Sequence, residues 1–168
     1  RNWEDFPIDV KEIDAIVLTH AHLDHSGYVP RMVKQGYKKN VYCTEATAAL
    51  LEVMWLDSAK LQEEEAEFAK KKGYSKHKNP LALYDQNDAE AALKTIISKL
   101  FNKEFKLNEK ISIIFHPAGH ILGAASVEVI LKGENQSKNI IFSGDLGRET
   151  DPVLFPPSSF KTADVLFL

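Results

Sequence analysis

Apolar and polar positions along the chain change their period twice, which divides it into three stretches. The first opens with DAIVLT at 14–19, a short unbroken run rich in β-branched residues, the pattern of a strand buried on both faces. SGYVPRMVKQG at 26–36 suits a helix, with Pro30 in the tolerated first turn and Gly36 ending it. NVYCT at 40–44 reads as a second short strand. From 45 to about 72 the period becomes helical: Leu50, Met54, Leu61 and Phe68 share one stripe, the expected buried face, and Gly73 stops it. KHKNP at 76–80 is a loop before a second helix, with Asn87 and Glu90 as its capping box and Leu93, Ile96, Ile97 and Leu100 as its apolar face. After Asn108 the period is two. KISIIFH (110–116), ASVEVILK (125–132), NIIFSG (139–144) and ADVLFL (163–168) read as strands. In the second of these, Val127, Val129 and Leu131 face inward, with Ser126 and Glu128 outward.

Strand and helix, a helical insertion at about 45–101, then a run of strands predict an α/β domain: a mixed sheet with helices on its outer faces. At 168 residues, with 44% hydrophobic and 27% charged content, the chain fits one soluble domain. No run of about eighteen apolar residues exists, so no membrane span is expected. RNWEDFPIDV at the start has neither a basic nor an apolar leader region, and no secretory signal is expected. The single cysteine, Cys43, rules out an intramolecular disulfide, fits the reducing cytoplasm, and reads as core packing. Net charge is −3, which leaves no basic footprint for a phosphate binder. Lysines at 70–72, 76 and 78 follow glutamates 63–65 and 67, the pattern of a solvated helix face laced with pairs such as Glu67–Lys71. Because ADVLFL ends the chain on a core strand just completed, the sequence is expected to be part of a longer one.

THAHLDHSG, residues 19–27, concentrates three histidines and an aspartate within six positions. On a helix His20 and His22 would point about 200° apart; at a strand end, i and i+2 point the same way and both imidazoles can converge on one ion. Asp24 and His25 sit further round the loop, placed to serve a second ion beside the first. Imidazole and carboxylate are suitable ligands for zinc. More donors are needed, and two later loops offer them. PAGHILGA (117–124) places His120 between two glycines, and FSGDLGR (142–148) puts Asp145 at a strand exit, where its two oxygens can bridge two metals. His116, in a strand whose alternation aims it at solvent or the sheet face, and His77, in the lysine-rich loop, are the weaker competitors.

THAHLDHSG, PAGHILGA and FSGDLGR, in this order, resemble the metallo-β-lactamase superfamily, and more narrowly its β-CASP branch of RNA-processing hydrolases. WLDSAKLQEEEAEFAKKKGYSKHKNPLALYDQNDAEAAL resembles the helical insertion of bacterial members, so the similarity covers most of the chain. The resemblance implies an αββα sandwich, here incomplete: a partial metallo-β-lactamase domain over 1–168, with a β-CASP domain following. It also implies two zinc ions, one held by His20, His22 and His120, the other by Asp24 and His25, with Asp145 bridging them. A hydroxide between the zincs would attack phosphorus, and Asp24, through its second oxygen, would orient it; Asp24 and Asp145 are therefore the expected catalytic residues. The implied function is a zinc-dependent RNA endo- or exonuclease in the cytoplasm, its RNA held in a cleft that the second domain completes. The last ligand of the second zinc and the general acid would lie outside this chain, which on its own is expected to be inactive. Hydrolysis of a small thioester or lactone, or a non-catalytic scaffold, are the competing functions, and a homo-oligomer is left open.

Overall fold

The computed structural model describes residues 4, 6–73, 80–134 and 136–168. After a 3₁₀ turn at Val10–Glu12 come β1 (Ile16–Val17), α1 (Leu23–Ser26), α2 (Val29–Lys34), β2 (Val41–Thr44), α3 (Glu45–Lys72), α4 (Gln86–Leu93) and β3 (Ile96–Lys99). Then follow β4 (Phe105–Lys106), β5 (Ile111–Pro117), β6 (Ala125–Lys132), β7 (Ser137–Phe142) and β8 (Val165–Phe167). The strands form two sheets: β1-β2-β3, all parallel, and β4-β5-β6-β7-β8, antiparallel except for the last pair.

Alternation along β2 separates the layers. Val41 and Cys43 are fully buried on the helix side, among Leu51, Trp55 and Ala59 of α3 and Ala89 and Ala92 of α4. Tyr42, between them, packs the other way, its ring 5.2 Å from Phe105 of the second sheet. Ile113, Phe115, Ala125 and Val127 form that inner core, and Val17 and Tyr42 of the first sheet close over it. The central strand β2 is therefore covered on both faces, as in buried parallel sheets, while the edge strands are more open. Helices, sheet and sheet make three of the four expected layers among the described residues. The outer face of the second sheet is met by irregular chain, through Phe160 lying edge-on against His116.

Several local expectations are corrected. The buried face of α3 is Thr47, Leu51, Trp55, Ala59 and Ala69, whereas Leu61 and Phe68 of the expected stripe are 56% and 54% exposed. Trp55 and two small residues select that face because they let the helix sit close to the sheet. The second helix begins earlier than expected, at a reciprocal box between Asp85 and Asp88, and stops at Leu93. Ile96 and Ile97 are then not helical but lie in β3, where pairing with β2 overrides the local helical spacing. β1 is only two residues long and half-buried, at the edge of its sheet. The helix expected over 26–36 is shorter, α2 at Val29–Lys34, with Pro30 in its first turn as expected, and a separate helical turn, α1, forms at Leu23–Ser26 within the expected loop. Ser126 does face away from Val127, yet it is buried, its hydroxyl donating to the Ser143 carbonyl at 2.8 Å. The Glu67–Lys71 pair forms, at 3.9 Å. His77 and residues 76–79 of the expected loop lie outside the described residues. Among the described residues no helix is long and apolar enough to cross a membrane.

Candidate metal centre

Three chain segments leave the same end of the two sheets and are tied to one another by main-chain bonds. The first leaves β1 through Thr19 and reaches the buried His20; His22 then starts α1, so Asp24 and His25 ride on one helical turn rather than in an open loop. Ser26 closes that turn, its hydroxyl shared between the carbonyls of Ala21 and His22 at 3.0 Å each. The second segment, between β5 and β6, carries His120 in a loop closed by Ala118 N–H on Ala124 O and Ala124 N–H on Ile121 O, both 3.0 Å. The third runs from Ser143 through Asp145 to Gly147. Ala125 N–H donates to Thr19 O and Gly147 N–H to Ala118 O, each at 2.8 Å, which pins the second segment to the first and third. At Gly147 a Cβ would overlap the carbonyl of Gly119, so this approach is open only to glycine.

The side chains converge. His20 Nε2 lies 3.1 Å from His22 Nδ1, which lies 3.2 Å from His120 Nε2. Asp145 Oδ2 stands 3.6 Å from His20 Nε2 and 3.3 Å from His120 Nε2. One donor atom from each of these four residues falls within 4.8 Å of all the others. Four donors held tetrahedrally about 2.0–2.1 Å from a zinc would stand about 3.3 Å apart, so the spacing fits one such ion. The other oxygen of Asp145 turns the opposite way, 3.4 Å from His25 Nε2, and His25 in turn is 3.5 Å from Asp24 Oδ2. All six expected residues are thus brought together, in one group of four donors and a smaller group of three that share Asp145.

Protonation favours the ligand role. Burial above all, then the neighbouring His25, pushes the His20 imidazole down to about 4, against the pull of Asp145. A neutral ring keeps the lone pair a cation needs. For that lone pair to sit on Nε2 the proton must sit on Nδ1, and Thr19 Oγ1 is 3.1 Å away to accept it. Side-chain exposure rises from 0% at His20 through 42% at Asp145 to 79% at Asp24, so the cluster opens to solvent on the Asp24 side.

Thr19 and Ser26 were not singled out in the sequence, although both stand within or beside the histidine motif. Trp55, whose indole N–H donates to Ser26 Oγ at 3.3 Å, has no sequence signal linking it to that motif. His116 lies outside the cluster, paired with Glu128 at 2.8 Å on the outer sheet face. Cys43 is core, with its thiol pushed up to about 12 by burial.

Comparison with known proteins places these features in context. The profile of the Metallo-beta-lactamase superfamily matches residues 4–166. The chain is 34% identical over 166 residues to ribonuclease TTHA0252 of Thermus thermophilus, covering 99% of this chain and 33% of that protein. It is 31% identical over 163 residues to an RNase J-like protein of Methanocaldococcus jannaschii, covering 96% of this chain and 32% of that protein. The chain therefore spans about a third of the length of these curated relatives. In fold it is similar to the metallo-β-lactamase fold protein YhfI from Bacillus subtilis, with a TM-score of 0.50 at 10% identity, over 86% of this chain and 45% of that one.

Proposed function

We propose that this chain, which belongs to the Metallo-beta-lactamase superfamily, is part of a zinc-dependent phosphodiester hydrolase of the β-CASP RNA-processing branch that cuts RNA, a reading supported by the names of its relatives. The observation that carries the proposal is the convergence of three imidazole nitrogens on one point, with the two oxygens of Asp145 turned to different partners. A nitrogen-rich set with one carboxylate suits zinc better than magnesium or calcium, which prefer oxygen.

His20, His22 and His120 would hold the first zinc, Asp24 and His25 the second, with Asp145 common to both. Bound zinc would supply Lewis acidity and a water acidic enough to lose its proton near neutral pH. The residues do the rest. His20 stays neutral and fixed in tautomer by Thr19. Asp145 holds the two halves in register. Asp24, the most exposed of the six, is free to orient the attacking group through its second oxygen. The larger donor set should fill first and the smaller one only when completed from elsewhere in the protein.

RNA as substrate is supported by the names of the relatives. A cavity of about 1000 Å³ beside Asp24 and His25 is lined mainly by apolar side chains, with Ser58, Gln62 and the acids Asp24 and Glu65, and with no lysine or arginine among its described walls. Such a wall does not attract phosphates. On this reading a β-CASP domain elsewhere in the protein would complete the RNA cleft and would also bring the last zinc ligand and the general acid.

The test is cleavage of a labelled single-stranded RNA by the whole protein. Chelation should abolish cleavage and zinc restore it, and Asp145→Ala should abolish it while the far-ultraviolet circular dichroism stays unchanged. Retained cleavage in Asp145→Ala would put the site elsewhere. Faster turnover of a thioester or lactone than of RNA would replace the substrate assignment.

A further inference from the structure

Next to one of the six donors lies a knot of buried hydroxyls to which the metal-centre reading gives no role. Thr44 ends β2 and caps α3, and Thr47 lies in the first turn of that helix; they are 2% and 0% exposed. Thr44 Oγ1 donates to the Gly123 carbonyl at 2.6 Å, and Thr47 Oγ1 donates to the same oxygen at 3.0 Å. Thr47 N–H donates to Thr44 Oγ1 at 3.3 Å, which is the helix cap. A cap alone needs one hydroxyl accepting from the helix. Here a second hydroxyl is present, 3.0 Å from the first, and both oxygens lie within hydrogen-bond reach of one carbonyl far along the chain. That carbonyl has two lone pairs, enough to accept from both hydroxyls.

Gly123 is placed for this contact. Its φ is +81°, and a Cβ on it would overlap the Thr47 amide nitrogen. Only glycine combines that backbone angle with that approach. Gly123 stands three residues after His120 in the loop that the Ala118–Ala124 bonds close, so its carbonyl cannot swing without carrying the loop.

We propose that Thr44 and Thr47 are positioning residues for His120: the buried hydroxyl pair at the start of α3 holds the ligand loop by the Gly123 carbonyl and thereby sets where His120 Nε2 points. The proposal rests on the reading of His20, His22, His120 and Asp145 as a metal centre. It gives α3 a second task besides packing, because the end of the helix that caps itself on Thr44 is also the anchor of a ligand.

The experiment is a cobalt(II) titration of the metal-stripped protein, read by its visible absorption, which reports both affinity and coordination geometry. Thr44→Val keeps the side-chain shape and removes the hydroxyl. It should weaken cobalt binding by about 10–100-fold, the usual effect of losing an outer partner of a ligand, and change the band shape. Thr44→Ser should restore both. In a His120→Ala background Thr44→Val should cost nothing further, because the ligand through which it acts is gone. A folded Thr44→Val protein that binds cobalt like the parent overturns the proposal. So does an equal loss in both backgrounds, which would mark a general structural role. Thr47→Val, which leaves the cap in place, gives the same reading where Thr44→Val does not fold. A parent protein that binds no cobalt removes the metal-centre reading and this proposal with it, whereas normal binding with an indifferent Thr44 removes this proposal alone.

Discussion

Which face of α3 holds the domain together can be decided by two alanines. Trp55 is fully buried between α3 and the first sheet, and its indole N–H is bonded to Ser26. A tryptophan buries about 150–250 Å², which at about 25 cal/mol per Å² corresponds to about 4–6 kcal/mol. Part of that area is already hidden in the denatured chain, so the figure is an upper bound. Trp55→Ala should cost about 3–5 kcal/mol, a large share of the ~5–15 kcal/mol that holds a domain folded. Trp55→Phe keeps most of the ring and loses the hydrogen bond and some volume, which should cost about 1–3 kcal/mol. Leu61→Ala, on the stripe that periodicity alone marks as core, should cost less than about 0.5 kcal/mol, because Leu61 is 56% exposed. The assay is urea unfolding followed by far-ultraviolet circular dichroism, with chelator present so that bound metal adds no stability. A loss below about 1.5 kcal/mol for Trp55→Ala, or a loss at Leu61 matching that at Trp55, would mean the helix packs by its other face.

Two further outcomes follow from buried or paired groups. Burial pushes the Cys43 thiol from 9.0 to about 12, so the folded protein should hold roughly a thousandfold less thiolate than an exposed cysteine. Iodoacetamide at pH 8 should leave Cys43 unmodified by mass spectrometry until urea unfolds the chain, and rapid labelling of the folded state would contradict this. Burial works against the Asp88 carboxylate, but the Lys34 ammonium at 2.6 Å and the Asp85 amide outweigh it and hold the group below its ordinary 3.8. A depressed carboxyl stabilises the fold above its unfolded value, and that share is lost as pH falls through the folded one. Asp88→Asn should therefore be less stable than the parent at pH 7, with the gap narrowing as pH falls below about 4; a gap that stays constant in urea unfolding across pH would exclude the ionic contribution.

The error at α3 and the success at β5 to β7 have the same origin. Periodicity finds a buried face when large apolar residues mark it. Along β5 and β6 they do: Ile113, Phe115, Val127 and Val129 alternate with other residues and lie in one cluster. On α3 the buried positions include Thr47, Ala59 and Ala69, too small to register, while Leu61 and Phe68 register and are exposed. β3 carries a helical spacing for a different reason. Ile96 and Ile97 continue the apolar spacing of α4, and only the partner strand, more than fifty residues back in the chain at Val41–Thr44, makes them extended.

The six candidate donors are legible in the sequence because each stands in a dense or glycine-flanked motif. What aims them is not. Thr44 and Gly123 are 79 residues apart, and Trp55 is 29 residues from Ser26. Such pairs carry no local signal, since a threonine before a helix already has a sufficient explanation as a cap and a buried tryptophan as core. A chain could therefore keep all six donors and still hold them badly. Ligand identity sets which ion can bind, whereas these distant contacts set how much of the binding energy is retained, because a donor free to turn away must be ordered anew each time an ion arrives. On the proposed reading, the caps and core contacts of α3 would for that reason be as much a part of the centre as the histidines they never touch.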